Sequence, residues 1–122
     1  MESKYFVPYE TAKLLKQKGY NEPCTYYYGD GIIRIVSRCS YTNEKLSNNT
    51  PDWLFNECIS APTYHEVLDW FEEKGVRIYA EYCESWIGFI DYGDTEGAEE
   101  AAICQTREEA LNEGILKALE KL

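Results

Sequence analysis

The stretch Thr63-Tyr-His-Glu-Val-Leu-Asp-Trp-Phe-Glu-Glu-Lys-Gly75, followed by Val76-Arg-Ile-Tyr-Ala-Glu-Tyr82, decides the fold class of this 122-residue chain. Thr63 and Glu66 stand at capping-box spacing, where the threonine hydroxyl accepts from the N3 amide and the glutamate reaches back. Tyr64, Val67, Leu68 and Phe71 then recur at i, i+3, i+4 and i+7, the spacing of one helical face. Gly75 supplies the residue that closes such a helix. At Val76 the period changes from that of a helix to the alternation of a strand, and Cys83-Glu-Ser85 separates this strand from a second, Trp86-Ile-Gly-Phe-Ile-Asp-Tyr92.

Working outward, Gly93-Asp-Thr-Glu-Gly97 reads as a turn and leads to a third strand near Glu99 to Gln105. Thr106-Arg-Glu-Glu109 is a second capping-box pattern. It opens a last helix whose Leu111, Ile115, Leu119 and Leu122 form a stripe beside Ala110, Gly114 and Ala118. The small residues predict close approach of this helix to the sheet.

The part before Pro62 reads differently. A helix is expected from Pro8, placed at N1, to Lys18, with Gly19 as its C′ residue and Tyr9, Ala12 and Leu15 beside Leu14 as a modest apolar stripe. Cys24 to Tyr28 and Ile32 to Val36 flank Gly29-Asp-Gly31 and read as a hairpin. Residues 37 to 60 are rich in Ser, Thr, Asn and Pro and read as a long loop anchored by Trp53, Leu54 and Phe55. The expected fold is therefore α+β in a single domain: an N-terminal helix and β-hairpin, then helix, three-stranded antiparallel meander and C-terminal helix.

Composition bounds the function. A chain that is 44% hydrophobic and 15% aromatic has enough apolar surface to fold. No apolar run approaches the roughly 18 to 20 residues that span a bilayer, and Met1-Glu-Ser-Lys4 lacks the apolar stretch of a signal peptide, so a cytoplasmic protein without membrane contact is expected. The formal charge is −10, from 22 acidic against 12 basic residues. Its distribution is uneven: residues 1–60 carry seven of each sign, whereas residues 61–122 carry 15 acids against five bases and so hold the whole net charge. Direct nucleic-acid binding is disfavoured, since neutralising phosphates requires surplus cations.

Five cysteines, at 24, 39, 58, 83 and 104, show no C-x-x-C pair and have one histidine to help them. Reduced thiols are expected, with no metal and no cofactor. Phosphate-cradling and nucleophile-elbow patterns are absent from the sequence, and the paired glutamates lie on adjacent positions that diverge by about 100° on a helix. The chain is expected not to be an enzyme, His65 being the single histidine that could serve as a base or ligand contact.

Binding is the better expectation. Tyr26, Tyr27, Tyr28 and Tyr41 lie close in sequence to Arg34 and Arg38, and tyrosine with arginine is a pairing that contact surfaces favour. The candidate binding residues are thus Tyr26, Tyr28, Arg34, Arg38, Tyr41, His65 and Arg77.

Two resemblances bear on these expectations. From residue 62 the order helix, three strands, helix is similar to the double-stranded-RNA-binding domain. That family holds phosphates through a basic cluster at the start of its last helix, where this chain has Arg107-Glu-Glu109, so the resemblance extends to topology and not to RNA binding. Val7 to Cys24, Ala61 to Tyr64, Val67 to Lys74, and Thr106 to Leu111 with Lys117 to Glu120 also resemble short proteins of Bacteroides, their mobile elements and phages. A phage setting implies a small protein that binds a host protein, as a counter-defence inhibitor, or sequesters a small nucleotide signal as a homo-oligomer. A third reading, an acidic mimic of DNA, requires a continuous stripe of carboxylates.

Overall fold

A computed structural model describes residues 3–22, 26–29, 32–35, 59–94 and 96–122; of 32–35 the backbone alone is described. The fold is α+β, as expected, and its contacts divide the chain into two compact units, Met1–Pro62 and Thr63–Leu122.

In the first unit a short 3₁₀ turn at Ser3–Tyr5 precedes helix α1, Tyr9–Gln17. Pro8 is its N-cap, one position earlier than the sequence suggests, because its extended backbone at ψ 156° is outside the helix. The C-terminus closes as anticipated: Gly19, at φ +96°, donates to Lys16, and the Tyr20 amide donates to the Leu15 carbonyl. This pair of bonds is the Schellman arrangement, which needs a left-handed residue at C′.

Strands β1 (Tyr26–Gly29) and β2 (Ile32–Ile35) form the expected antiparallel pair, with Gly29 opposite Ile32. The expected loop over 37–60 requires one correction, because its last two residues form a strand, β3 (Ile59–Ser60). β3 pairs antiparallel with β1, so β1 becomes the central strand of a three-stranded sheet. Trp53, Leu54 and Phe55 lie outside the described residues. The core of this unit gathers Phe6, Val7, Ala12, Leu15, Tyr20, Tyr28, Ile59 and Ala61.

In the second unit α2 (Tyr64–Glu73) begins at the full capping box: the Thr63 amide donates to Glu66 Oε1 at 2.9 Å and the Glu66 amide to Thr63 Oγ1 at 3.3 Å. It ends in a second Schellman closure, with Gly75 at φ +81° donating to Glu72 and Val76 to Phe71. Strands β4 (Arg77–Cys83), β5 (Ser85–Asp91) and β6 (Ala98–Cys104) form an antiparallel meander with β5 central. Helix α3 (Arg107–Glu120) is capped by Thr106, whose hydroxyl accepts from the Glu109 amide at 3.1 Å.

Helix α3 lies across all three strands, and α2 packs on β4 and α3. Ala110, Leu111, Gly114, Ile115, Ala118 and Leu119 are buried, as the small-and-large pattern predicts. Leu122 is the exception: it follows the helix end and is 46% exposed. Gly88 and Gly114 allow the close approach, since a Cβ on Gly88 would sit 2.4 Å from the Ala110 carbonyl oxygen and one on Gly114 would sit 2.8 Å from Ile78 Cγ2.

Candidate functional site

The tyrosine run of β1 was expected to offer a contact face, and the structure divides its members between different tasks. Alternation places Tyr26 and Tyr28 on one side of β1. That side is covered by the N-terminal segment: Phe6 meets Tyr26 edge-on with centroids 4.8 Å apart, and Tyr9 meets Tyr28 at 5.3 Å. Tyr28 is buried and its hydroxyl donates to the Val7 carbonyl, so it is a core residue, correcting its assignment as a binding residue. Burial also pushes its phenol above the ordinary range. Tyr26 remains half-buried against Phe6.

Arg34 stands opposite Tyr27 in the ladder, not opposite Tyr26 or Tyr28, so sequence proximity did not predict the pairing. Arg38 and Tyr41 lie outside the described residues.

His65 and Arg77 belong to the second unit, at the two ends of α2. A ten-residue helix separates them by roughly 15 Å of axial rise, so they do not share a site. The His65 side chain is 86% exposed, with Nε2 3.5 Å from Asp69 Oδ2 one turn along the helix. This is an exposed pair within one helix. Arg77 is exposed and lies over the Tyr79 ring at 5.6 Å, and Tyr79 in turn stacks on Phe89 at 5.3 Å. Among the described residues, no group of three or more His, Cys, Asp or Glu is arranged to hold a metal ion. No described helix is long and apolar enough to cross a membrane.

The structure instead brings together residues that the sequence reading passed over. Tyr82 and Trp86 are directly opposite across the β4–β5 hairpin, their ring centroids 5.4 Å apart. Between them the chain reverses at Glu84, which adopts φ +64°, a left-handed conformation uncommon for a residue with a Cβ. Tyr82 is 67% exposed, the largest exposure among the large hydrophobic residues described. Trp86 is half-buried and faces Cys104 on β6. The signal was present in the sequence, because Tyr82 and Trp86 are symmetric about the turn at Glu84; only a register could turn that symmetry into a pair.

Burial is the first cause that raises the Cys104 thiol, and the carboxylates of Glu113 and Glu109 raise it further. At the opposite end of α3, Lys121 lies 4.1 Å from the centroid of the Tyr92 ring and 4.0 Å from Glu99 Oε2. Glu99 faces Ile90 and Glu100 faces Phe89 in the ladder, which puts these two acids on opposite sides of the sheet.

Comparison with protein-family models, with curated proteins and with solved structures finds no match to this chain.

Proposed function

We propose that this chain is a small non-enzymatic binding protein whose acidic second unit engages a basic surface of a protein partner. The observation that carries the reading is the pair Tyr82 and Trp86, an exposed aromatic contact in the unit that holds the entire net charge of −10. Tyrosine and tryptophan supply rigid amphipathic area, and the net negative charge of the unit steers an oppositely charged partner and disfavours phosphate. The resemblance to phage and mobile-element proteins makes a host protein, held in an inhibited state, the partner of choice.

A sponge for a small nucleotide signal draws less support, because one of the candidate stacking tyrosines, Tyr28, is occupied in the core. A DNA mimic draws less support from carboxylates that face both sides of a sheet.

The test uses the full chain as bait in a lysate of its host, with salt elution and cross-linking. A stoichiometric protein, released by salt and cross-linked through residues 81–86, is the expected result. Recovery of no such protein, together with thermal stabilisation by cyclic or linear nucleotides, would replace this reading with the nucleotide one.

A further inference from the structure

Among the described residues, five aromatic rings carry a cation of the same chain: Lys4 over Tyr5, Lys13 over Tyr9, Lys74 over Trp70, Arg77 over Tyr79 and Lys121 over Tyr92, at 4.1 to 5.6 Å. Among the described residues none stands over Tyr82 or Trp86. Ring faces carry negative potential, and the attraction for a cation grows when carboxylates lie beside them.

The surroundings follow from register. Tyr82, Trp86 and Cys104 form one row across the three strands, two residues beyond the row that contains Gly88 and Ala102. Gly88 lies against Ala110 of α3, so the aromatic row lies toward the N-terminal end of that helix. Glu109 and Glu113 are four residues apart on α3 and therefore share a face, and their charges are both felt at Cys104, the neighbour of Trp86. Glu81 and Glu84 are exposed at the hairpin tip itself. Among the described residues these four carboxylates have no ion-pair partner.

We infer that the Tyr82–Trp86 pair, edged by Glu109 and Glu113, receives an arginine side chain from a basic segment of a protein partner. A guanidinium suits the arrangement better than an ammonium. It is planar enough to stack on a ring, less strongly hydrated, and able to reach a carboxylate with a two-pronged hydrogen bond while it is stacked. A nucleic acid does not suit it, because the same carboxylates repel phosphate. This inference rests on the protein-binding reading and assigns the chemistry of its contact.

The probe is a capped octa-arginine peptide, titrated into the ¹⁵N-labelled full chain while the Trp86 indole resonance, assigned with Trp86→Phe, is followed. Saturable movement of that resonance is expected. Tyr82→Ser, a change at an exposed position, should weaken the affinity about tenfold, and the double variant Glu109→Gln/Glu113→Gln should weaken it comparably. An octalysine peptide of equal charge should bind several-fold more weakly. Equal affinity for the two peptides, or unchanged affinity in a folded Tyr82→Ser protein, would overturn the inference, since diffuse charge attraction would then suffice. A host protein captured equally well by wild type and by Tyr82→Ser would likewise overturn it while leaving the binding reading intact. Failure to capture any host protein, with no binding of the octa-arginine peptide, overturns the binding reading and this inference with it.

Discussion

Gly88 on β5 and Ala110 on α3 meet with no room for a side chain between them: a Cβ on Gly88 would stand 2.4 Å from the Ala110 carbonyl oxygen. The obstructing atom is backbone, so relief requires the helix to move off the sheet. Gly88→Ala should therefore lose about 3 kcal/mol, the upper range of overpacking. At Gly114 the obstruction is the Ile78 Cγ2 methyl at 2.8 Å, a side-chain atom and not backbone. Gly114→Ala also gains nearly 1 kcal/mol of helix propensity, so its net loss should be under about 1 kcal/mol. Urea denaturation of the two variants checks the order, and equal losses would refute the backbone argument.

Gly75 offers a contrast, since nothing lies within 4 Å of the position its Cβ would take. Its φ of +81° is the whole constraint, imposed by the closure of α2. Gly75→Ala should cost about 1 kcal/mol from left-handed strain, with an unchanged contact surface. Denaturation at unchanged m-value is the check.

Thr63→Ala removes the acceptor for the Glu66 amide and leaves the Glu66 carboxylate without its hydroxyl partner at 3.0 Å. A loss of about 1 kcal/mol is expected. A double-mutant cycle with Glu66→Ala should show the two changes to be less than additive, because both break one box.

Tyr28→Phe tests the core assignment of the β1 tyrosine. The Val7 carbonyl would lose the hydroxyl that reaches it in the interior, at a cost of about 1 to 2 kcal/mol. The pH dependence follows from the raised phenol. Below the ordinary value of 10.0 the neutral form prevails in both folded and unfolded chains and this contribution is complete. As pH rises above that value the unfolded chain ionises first, so stability falls through the interval up to the folded pKa. Alkaline unfolding monitored by circular dichroism should be shallower in Tyr28→Phe than in wild type.

Cys83 is exposed, and Cys104 is half-buried beside Trp86 with its thiol raised by burial and by Glu113 and Glu109. At neutral pH iodoacetamide should modify Cys83 before Cys104, because the thiolate is the reactive form. Peptide mapping over a time course reads the order. In Glu109→Gln/Glu113→Gln the Cys104 rate should rise.

Local rules carried much of the fold. The capping box at Thr63, the left-handed closures at Gly19 and Gly75, the change of period at Val76 and the Ala110, Gly114, Ala118 stripe are each written within a few residues, and each fixes backbone geometry through bonds that span less than two helical turns. Those determine element order and the face by which α3 meets its sheet. What local signals do not contain is which strands become neighbours. Ile59 and Ser60 have no strand-like run, yet they pair with Tyr28 and Tyr27 and make β1 central. Only then does the side of Tyr26 and Tyr28 become the side covered by Phe6, Val7 and Tyr9.

The same division applies to the candidate site. Sequence alone located the net charge after residue 60, which is a matter of composition. It chose the tyrosines nearest to arginines, whereas register placed Arg34 opposite Tyr27, sent Tyr28 inward and set Tyr82 outward beside Trp86. The physical reason is that charge and amphipathic character belong to residues, while exposure and pairing arise from chain segments brought together across a sheet, and their cost and reward are settled only when the sheet closes.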